Sequence, residues 1–255
     1  MKLVIKVGTS TLAHATGRLN IRRTQELCRV VSDLKNAGHE VILVSSGAIG
    51  MGVGKLALKE KPADIPTKQA AAAVGQCELM YTYDRLFTEQ GHTVAQILLT
   101  GADFLAQDRH ENFNNTLSRL LELGALPIIN ENDTIATEEI KFGDNDTLSA
   151  HVAVSAKAQL LVILSDVDGL YDADPHKNAD AKLIERVHGM PETLFSLAGG
   201  EGSALGTGGM KTKLNAAKIC VEQGVDMAIA NGEDPQILYD IVNGKAGGYT
   251  RFFAE

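Results

Sequence analysis

The amino-acid sequence predicts an α/β protein, a three-layer αβα sandwich on a mainly parallel central sheet. Two observations carry this. Short apolar runs such as Val41–Val44, Leu126–Ile129 and Leu160–Leu164 lack polar alternation, as strands covered on both faces do. Between such runs lie longer stretches with helical spacing, and strand–helix alternation specifies parallel strands joined by crossover helices.

The elements follow in order. Lys2–Val7 is a β-branched strand ending at Gly8-Thr9-Ser10, and Ile21–Asn36 is a helix stopped at Gly38. Val41–Val44 runs straight into Ser45-Ser46-Gly47. Thr67–Gln90 is a long Ala-rich helix, Thr93–Leu99 a strand, and Arg109–Gly124 a helix with Gly124 as its C-cap. Leu126–Ile129 opens into a loop dense in carboxylates and amides, which closes with Gly143-Asp144-Asn145-Asp146 before a helix over Thr147–Ala158. Leu160–Leu164 ends at Ser165-Asp166. A helix over Met210–Gln223, a strand over Asp226–Ala230, a helix over Pro235–Val242 and an edge strand over Tyr249–Phe253 complete the chain. The Gly/Ser-rich stretch Ala198–Gly209 reads as a functional loop rather than a domain joint. One unit of 255 residues with two lobes, roughly 1–155 and 156–255, is expected.

Composition narrows the classes of function. Trp is absent and aromatics are 5%, so the core is aliphatic. A net charge of −8 argues against a nucleic-acid surface, which carries a basic stripe, but not against a small anion that feels only local groups. Cys28, Cys77 and Cys220 are odd in number and widely spaced, which fits buried thiols in a reducing cytoplasm better than disulfides or zinc. No signal peptide or membrane-length apolar run is visible, so a cytoplasmic protein without membrane contact is expected.

In open α/β sheets ligands bind outside the carboxyl ends of the strands. Here those ends carry Gly8-Thr9-Ser10, Ser45-Ser46-Gly47, Asn130-Glu131-Asn132-Asp133 and Ser165-Asp166, which would converge on one crevice. Several familiar motifs fail. The glycines at 47, 50, 52 and 54 lack Walker spacing, with Leu56 where its hydroxyl should be, and they do not make GxGxxG. They instead let a helix start close to a ligand or another backbone. The acidic turn at Asp166, Asp168, Asp172 and Asp174 lacks EF-hand spacing, and the histidines form no HExxH, so no dedicated metal site is predicted. Neither a GxSxG elbow nor a Cys–His pair supports covalent catalysis. Lys6, inside the first strand, should face an anion or a carboxylate. Lys213 follows a glycine-rich loop into a helix, which is an anion cradle or, taken alone, equally a solvated helix start. Asp144-Asn145-Asp146 offers three capping side chains where a helix needs one, and the excess favours function.

These residues resemble the amino acid kinase family over essentially the whole chain. The landmarks are KVGTS at 6–10, VSSGA at 44–48, PIINEND at 127–133, FGDND at 142–146, Ser165-Asp166 with Gly169-Leu170-Tyr171, and GTGGMKTK at 206–213. The NEND and FGDND pair is similar to the branch acting on L-glutamate, rather than those acting on acetylglutamate, aspartate, carbamate or UMP. The resemblance implies the amino acid kinase fold and transfer of a phosphoryl group from ATP to the γ-carboxylate of L-glutamate, the first step of proline biosynthesis. It implies ATP and Mg²⁺ as cofactors, proline as feedback inhibitor and a homo-oligomer. Lys6 would touch the transferring phosphoryl group, Lys213 would stabilise its charge, and Asp146 would orient both lysines. Ser46, Asp133 and Asn145 would bind glutamate. Lys6, Ser165, Asp166, Thr207, Gly208, Gly209, Met210, Lys211, Thr212 and Lys213 would bind ATP. Glu131, Glu138 and Glu139 are left with loop and solvent roles. Many members continue into a C-terminal PUA-type domain, and the chain is expected to be the kinase portion alone.

The chemistry of the residues agrees. A γ-carboxylate is already ionised at neutral pH, so its attack on ATP needs charge screening and in-line alignment rather than a general base. Two lysines and glycine amides suit that task. A kinase for another carboxylate or carbamate and a non-catalytic sensor are the alternatives, and the presence of Lys6, Asp146 and Lys213 counts against the sensor.

Overall fold

The computed structural model describes all residues except 15–17, 61, 137–143, 176, 179, 198–208 and 255. The first strand, β1 (Lys2–Val7), lies at the centre of an eight-stranded sheet and leads into a short helix, α1 (Thr9–Leu12). Next come α2 (Ile21–Asn36), β2 (Glu40–Ser45), α3 (Ala48–Lys55) and α4 (Ile65–Thr88). The chain continues through β3 (Val94–Leu99), α5 (Gly101–Leu105), α6 (Gln107–Glu122) and β4 (Leu126–Glu131). The second half comprises α7 (Asn145–Ser155), β5 (Leu160–Ser165), β6 (Arg186–His188), α8 (Thr193–Leu197), α9 (Met210–Glu222), β7 (Asp226–Asn231), α10 (Ile237–Val242) and β8 (Tyr249–Phe253).

The strand order is β3-β4-β2-β1-β5-β7-β8-β6, parallel throughout except for the β7–β8 pair. Alternation along the strands sorts side chains between two faces. Val4, Val44, Ile129 and Ile163 pack with α6, α7 and α9, whereas Ile5, Leu43, Ile128 and Val162 pack with α2, α4 and α10. Lys6 shares the parity of Val4, so the strand aims it at the α7 and α9 side. Register brings Val7 opposite Ser45 and Leu164, and Ser165 opposite Asn231, so these strand ends lie on one rim. After β4 the chain crosses by α7 from one side of β1 to β5 on the other. That reversal of strand order leaves a crevice at the carboxyl end of β1.

Of two elements that need a physical reason, one bears out the sequence reading that glycines let a helix start close to another backbone, and one departs from it. The glycine-rich segment after Gly47 has poor intrinsic helix propensity, yet it forms α3. Packing overrides propensity here. A Cβ on Gly52 would lie 1.8 Å from the Ala71 carbonyl oxygen, and one on Gly75 would lie 1.7 Å from that of Ala48. Glycine on both helices lets α3 and α4 meet backbone to backbone. Gly47 itself has φ of 103°, a left-handed conformation that the sharp exit from β2 requires. The departure is β8, which is not an edge strand. It pairs with β7 and with the unpredicted β6, which forms the edge and buries only one of its three residues. Among the described residues no helix is long and apolar enough to cross a membrane.

Candidate active site

Three consecutive residues at the start of α7 carry three different tasks. Asp144 is the N-cap, and its carboxylate accepts a hydrogen bond from the Thr147 backbone N–H at 2.8 Å. Burial raises its carboxyl above the ordinary carboxylate range, against the pull of the Thr147 N–H. Asn145 turns toward the ends of β2 and β4. Its Nδ2 lies 3.0 Å from the Ser45 carbonyl, 2.9 Å from Ser46 Oγ and 2.9 Å from Asn130 Oδ1. Asp146 turns the other way. Successive helical residues project about 100° apart, so neighbours in sequence serve different walls of one crevice.

Asp146 is 1% exposed and bridges two elements of the fold. Lys6 Nζ of β1 lies 2.7 Å from its Oδ1, and Lys213 Nζ of α9 lies 3.2 Å from its Oδ2. Thr212 Oγ1 stands 2.9 Å from the same Oδ2 and 2.8 Å from the Gly209 carbonyl, with one proton to share between two acceptors. Burial pushes the Asp146 carboxyl up, but Lys6, Lys213 and Thr212 together outweigh burial and hold it down to about 2. The carboxylate therefore stays ionised at neutral pH. Two lysines share the Asp146 carboxylate in a nearly dry site, with the Asp144 carboxyl also within electrostatic reach of Lys6, so these charges act strongly on an approaching ligand. Gly8 adjoins the site, since a Cβ there would stand 3.6 Å from Lys6 Nζ.

The structure thus brings Lys6, Asp146, Thr212 and Lys213 into one cluster, and Ser46 and Asn145 into another beside it. Asp133 is half-buried in the turn that follows β4. Ser165 is buried at the end of β5, and its Oγ donates to Asp166 Oδ1 at 3.1 Å. Gly209 is the N-cap residue of α9, Met210 packs on the core, and Lys211 points to solvent. Thr207 and Gly208 lie outside the described residues, as do Glu138 and Glu139. Glu131 requires a correction. It is the last residue of β4 and 6% exposed, because β4 runs past Ile129 and pairs Glu131 with Leu99 of β3. It belongs to the strand rather than to a solvated loop. Within the acidic turn Asp168 is structural: it accepts from Tyr171 Oη and Asn231 Nδ2, both at 2.9 Å, while Gly169 backs onto Thr250.

Sequence reasoning missed Asn130, Gln76 and Tyr83. Asn130 is 2% exposed and ties Asn145 to β4; the rim of polar residues there contained it without singling it out. Tyr83 of α4 is fully buried and its hydroxyl lies 2.8 Å from Ser45 Oγ, which anchors the corner before Ser46. For Gln76 a signal existed: a glutamine sits on the apolar stripe of Ala72, Leu79 and Tyr83.

Residues 1–231 match the amino acid kinase family. The chain belongs to the amino acid kinase family. Its relatives at high identity include the glutamate 5-kinase of Clostridium acetobutylicum, 56% identical over 95% of this chain and 91% of that protein. The glutamate 5-kinase of Clostridium perfringens is 52% identical over 100% of this chain and 96% of its own length. That of Caldanaerobacter subterraneus is 53% identical over 98% of this chain, which spans 67% of that longer protein. Among solved structures, carbamate kinase from Giardia lamblia bound to AMP-PNP superposes with a TM-score of 0.71 at 17% identity, covering 100% of this chain and 98% of that one. UMP kinase from Ureaplasma parvum gives 0.68 at 16% identity, covering 99% and 98%. Such low identities speak for the fold alone.

Proposed function

We propose that this protein transfers the γ-phosphoryl group of ATP to the γ-carboxylate of L-glutamate, giving ADP and L-glutamyl 5-phosphate, the first step of proline biosynthesis. The observation that carries this reading is the buried Lys6–Asp146–Lys213 bridge at the carboxyl ends of the strands, in a chain 52–56% identical to glutamate 5-kinases over nearly its whole length. A carboxylate oxygen attacks the γ-phosphorus, the bond to the β-γ bridging oxygen breaks, and ADP leaves with that electron pair. No proton has to move, so no general base is needed. The obstacle is repulsion between a carboxylate and a polyphosphate.

On this reading Lys6 lies beside the transferring phosphoryl group and Lys213 neutralises charge that develops on it. Asp146 keeps both ammonium groups aimed while cancelling only one of their charges. Ser46, Asn145 and Asp133 hold the amino and carboxylate groups of glutamate, with Asp133 the natural partner of the ammonium. Ser165, Asp166 and the segment 207–213 hold ATP. Residues 1–155 would then read the acid and 156–255 the nucleotide, with Asp146 joining the two halves through Lys213. Among the described residues no group of three or more His, Cys, Asp or Glu could hold a metal. Mg²⁺ would arrive on the phosphates, as a small octahedral cation with few protein ligands does. Proline, an amino acid of similar head group, would compete at the glutamate pocket, and a homo-oligomer completes the proposal.

A hydroxamate-trapping assay with ATP and a panel of acids tests the activity. Glutamate should give a trapped acyl phosphate while aspartate, acetylglutamate and carbamate do not. An acyl phosphate from another acid with none from glutamate would overturn the assignment. Proline added to the same assay should raise the apparent KM for glutamate, and light scattering reads the assembly.

A further inference from the structure

Behind Asn145 the structure holds a row of carboxamides that runs from the crevice to the outer face of the sheet. Asn145 Nδ2 donates to Asn130 Oδ1 at 2.9 Å, Asn130 Nδ2 donates to Gln76 Oε1 at 2.9 Å, and Gln76 Nε2 donates to Gln96 Oε1 at 3.1 Å. The members come from four different elements: α7, β4, α4 and β3. Asn130 is 2% exposed and Gln76 8%, whereas Gln96 reaches solvent. Every link points the same way, from NH₂ group to carbonyl oxygen. A carboxamide has a donor end and an acceptor end, so fixing one end of such a row fixes the orientation of each member.

We infer that Gln76 is a positioning residue that sets Asn145 as a hydrogen-bond acceptor toward the substrate's α-ammonium group. With its Nδ2 held among the Ser45 carbonyl, Ser46 Oγ and Asn130 Oδ1, Asn145 turns Oδ1 away from the wall. Among the described residues that oxygen has no protein partner. An oxygen facing the crevice accepts from an ammonium, and an NH₂ group there would repel it. Asn130 keeps its own orientation through two anchors. The Glu131 backbone N–H donates to its Oδ1 at 2.8 Å, and Gln76 receives its Nδ2. Removing the Gln76 acceptor leaves the Asn130 donor unpaired in a buried place, which favours rotation of that amide and takes from Asn145 one of its three acceptors, leaving the Ser45 carbonyl and Ser46 Oγ to hold it less firmly. The role concerns recognition of the ammonium and leaves the phosphoryl cluster untouched. It rests on the proposed activity toward glutamate.

The test is Gln76→Met, an unbranched replacement of similar length without the acceptor. The KM for glutamate should rise about fivefold, the order expected for one lost net hydrogen bond. The KM for ATP and kcat should stay within about twofold of wild type, as this change alters uniform binding of one substrate. Glutarate, which lacks the α-ammonium group, serves as a competitive probe, and its inhibition constant should move less than twofold. A Gln76→Met protein with unchanged KM for glutamate overturns the inference. So does one in which glutarate inhibition and the KM for ATP weaken equally, since that marks a loosened fold. Should Gln76→Met fail to fold, Gln96→Ala at the exposed end frees the Gln76 amide and should raise the KM for glutamate about twofold with glutarate unmoved; no rise overturns the inference. If the wild-type protein itself does not phosphorylate glutamate, the activity assignment falls first, and this result is distinct from all of these.

Discussion

The two polar clusters of the crevice hang from adjacent residues of one helix turn, yet they are built on opposite principles. Around Asp146 the structure buries full charges: two lysines and one carboxylate, each less than 10% exposed. Around Asn145 it uses neutral groups only: Ser46, the Ser45 carbonyl and Asn130. A buried ion cluster is costly unless every member is paired, and its return is a strong field on an incoming anion. Amides and hydroxyls supply direction without field. A polyphosphate requires field, whereas an amino acid carrying charges of both signs is better served by direction. The comparison teaches that one turn can divide a site by chemistry because its side chains diverge.

Breaking the charged side should cost most. Asp146→Ala leaves Lys6 and Lys213 buried without their counter-ion. We expect kcat to fall by about 10³-fold or more and stability to drop by about 3–5 kcal/mol, measured by single-turnover kinetics and urea unfolding. Lys213→Ala removes one charge but leaves the Lys6–Asp146 pair. A loss of about 10²–10³ in kcat with a retained cooperative unfolding transition is expected, and undiminished turnover would remove its assigned role. On the neutral side, Asn145→Ala should act chiefly on KM for glutamate, raising it by about tenfold, with kcat changing far less; initial rates over a glutamate series decide this. An equal fall in kcat would mean that the two clusters do not act separately.

The smallest effect concerns pH. Asp146 is held down to about 2 in the folded protein against about 3.9 for a free aspartate. A depressed carboxyl contributes stability that is fully present above its unfolded value and is lost as pH falls through its folded value. The stability gap between wild type and Asp146→Asn should therefore be flat from pH 5 to pH 8 and narrow only below about pH 4. Thermal melting at several pH values reads it, and a gap that changes near neutrality would contradict an ionised Asp146.

Much of this was legible in the chain. Lys6 is a charged residue inside an apolar strand, and such a residue needs a partner wherever the strand lies. The surplus of capping side chains at 144–146 already marked a site. Less legible was how they are shared out, because one sequence position says nothing of direction until β1, α7 and α9 are packed. Asn130 and Glu131 hid in a strand that ran longer than its apolar run. Gln76 hid in a helix 54 residues from the asparagine it bonds.

By itself the sequence determined the alternation of strands and helices, the convergence of polar strand ends and the residues from which the proposed site is drawn. Each follows from local composition and period. Tertiary structure alone decided which backbone the glycines of α3 meet, that β8 lies inside the sheet, and that Asn130 and Gln76 stand behind Asn145. Those outcomes depend on contacts between residues far apart in the chain, whose energies no local window contains.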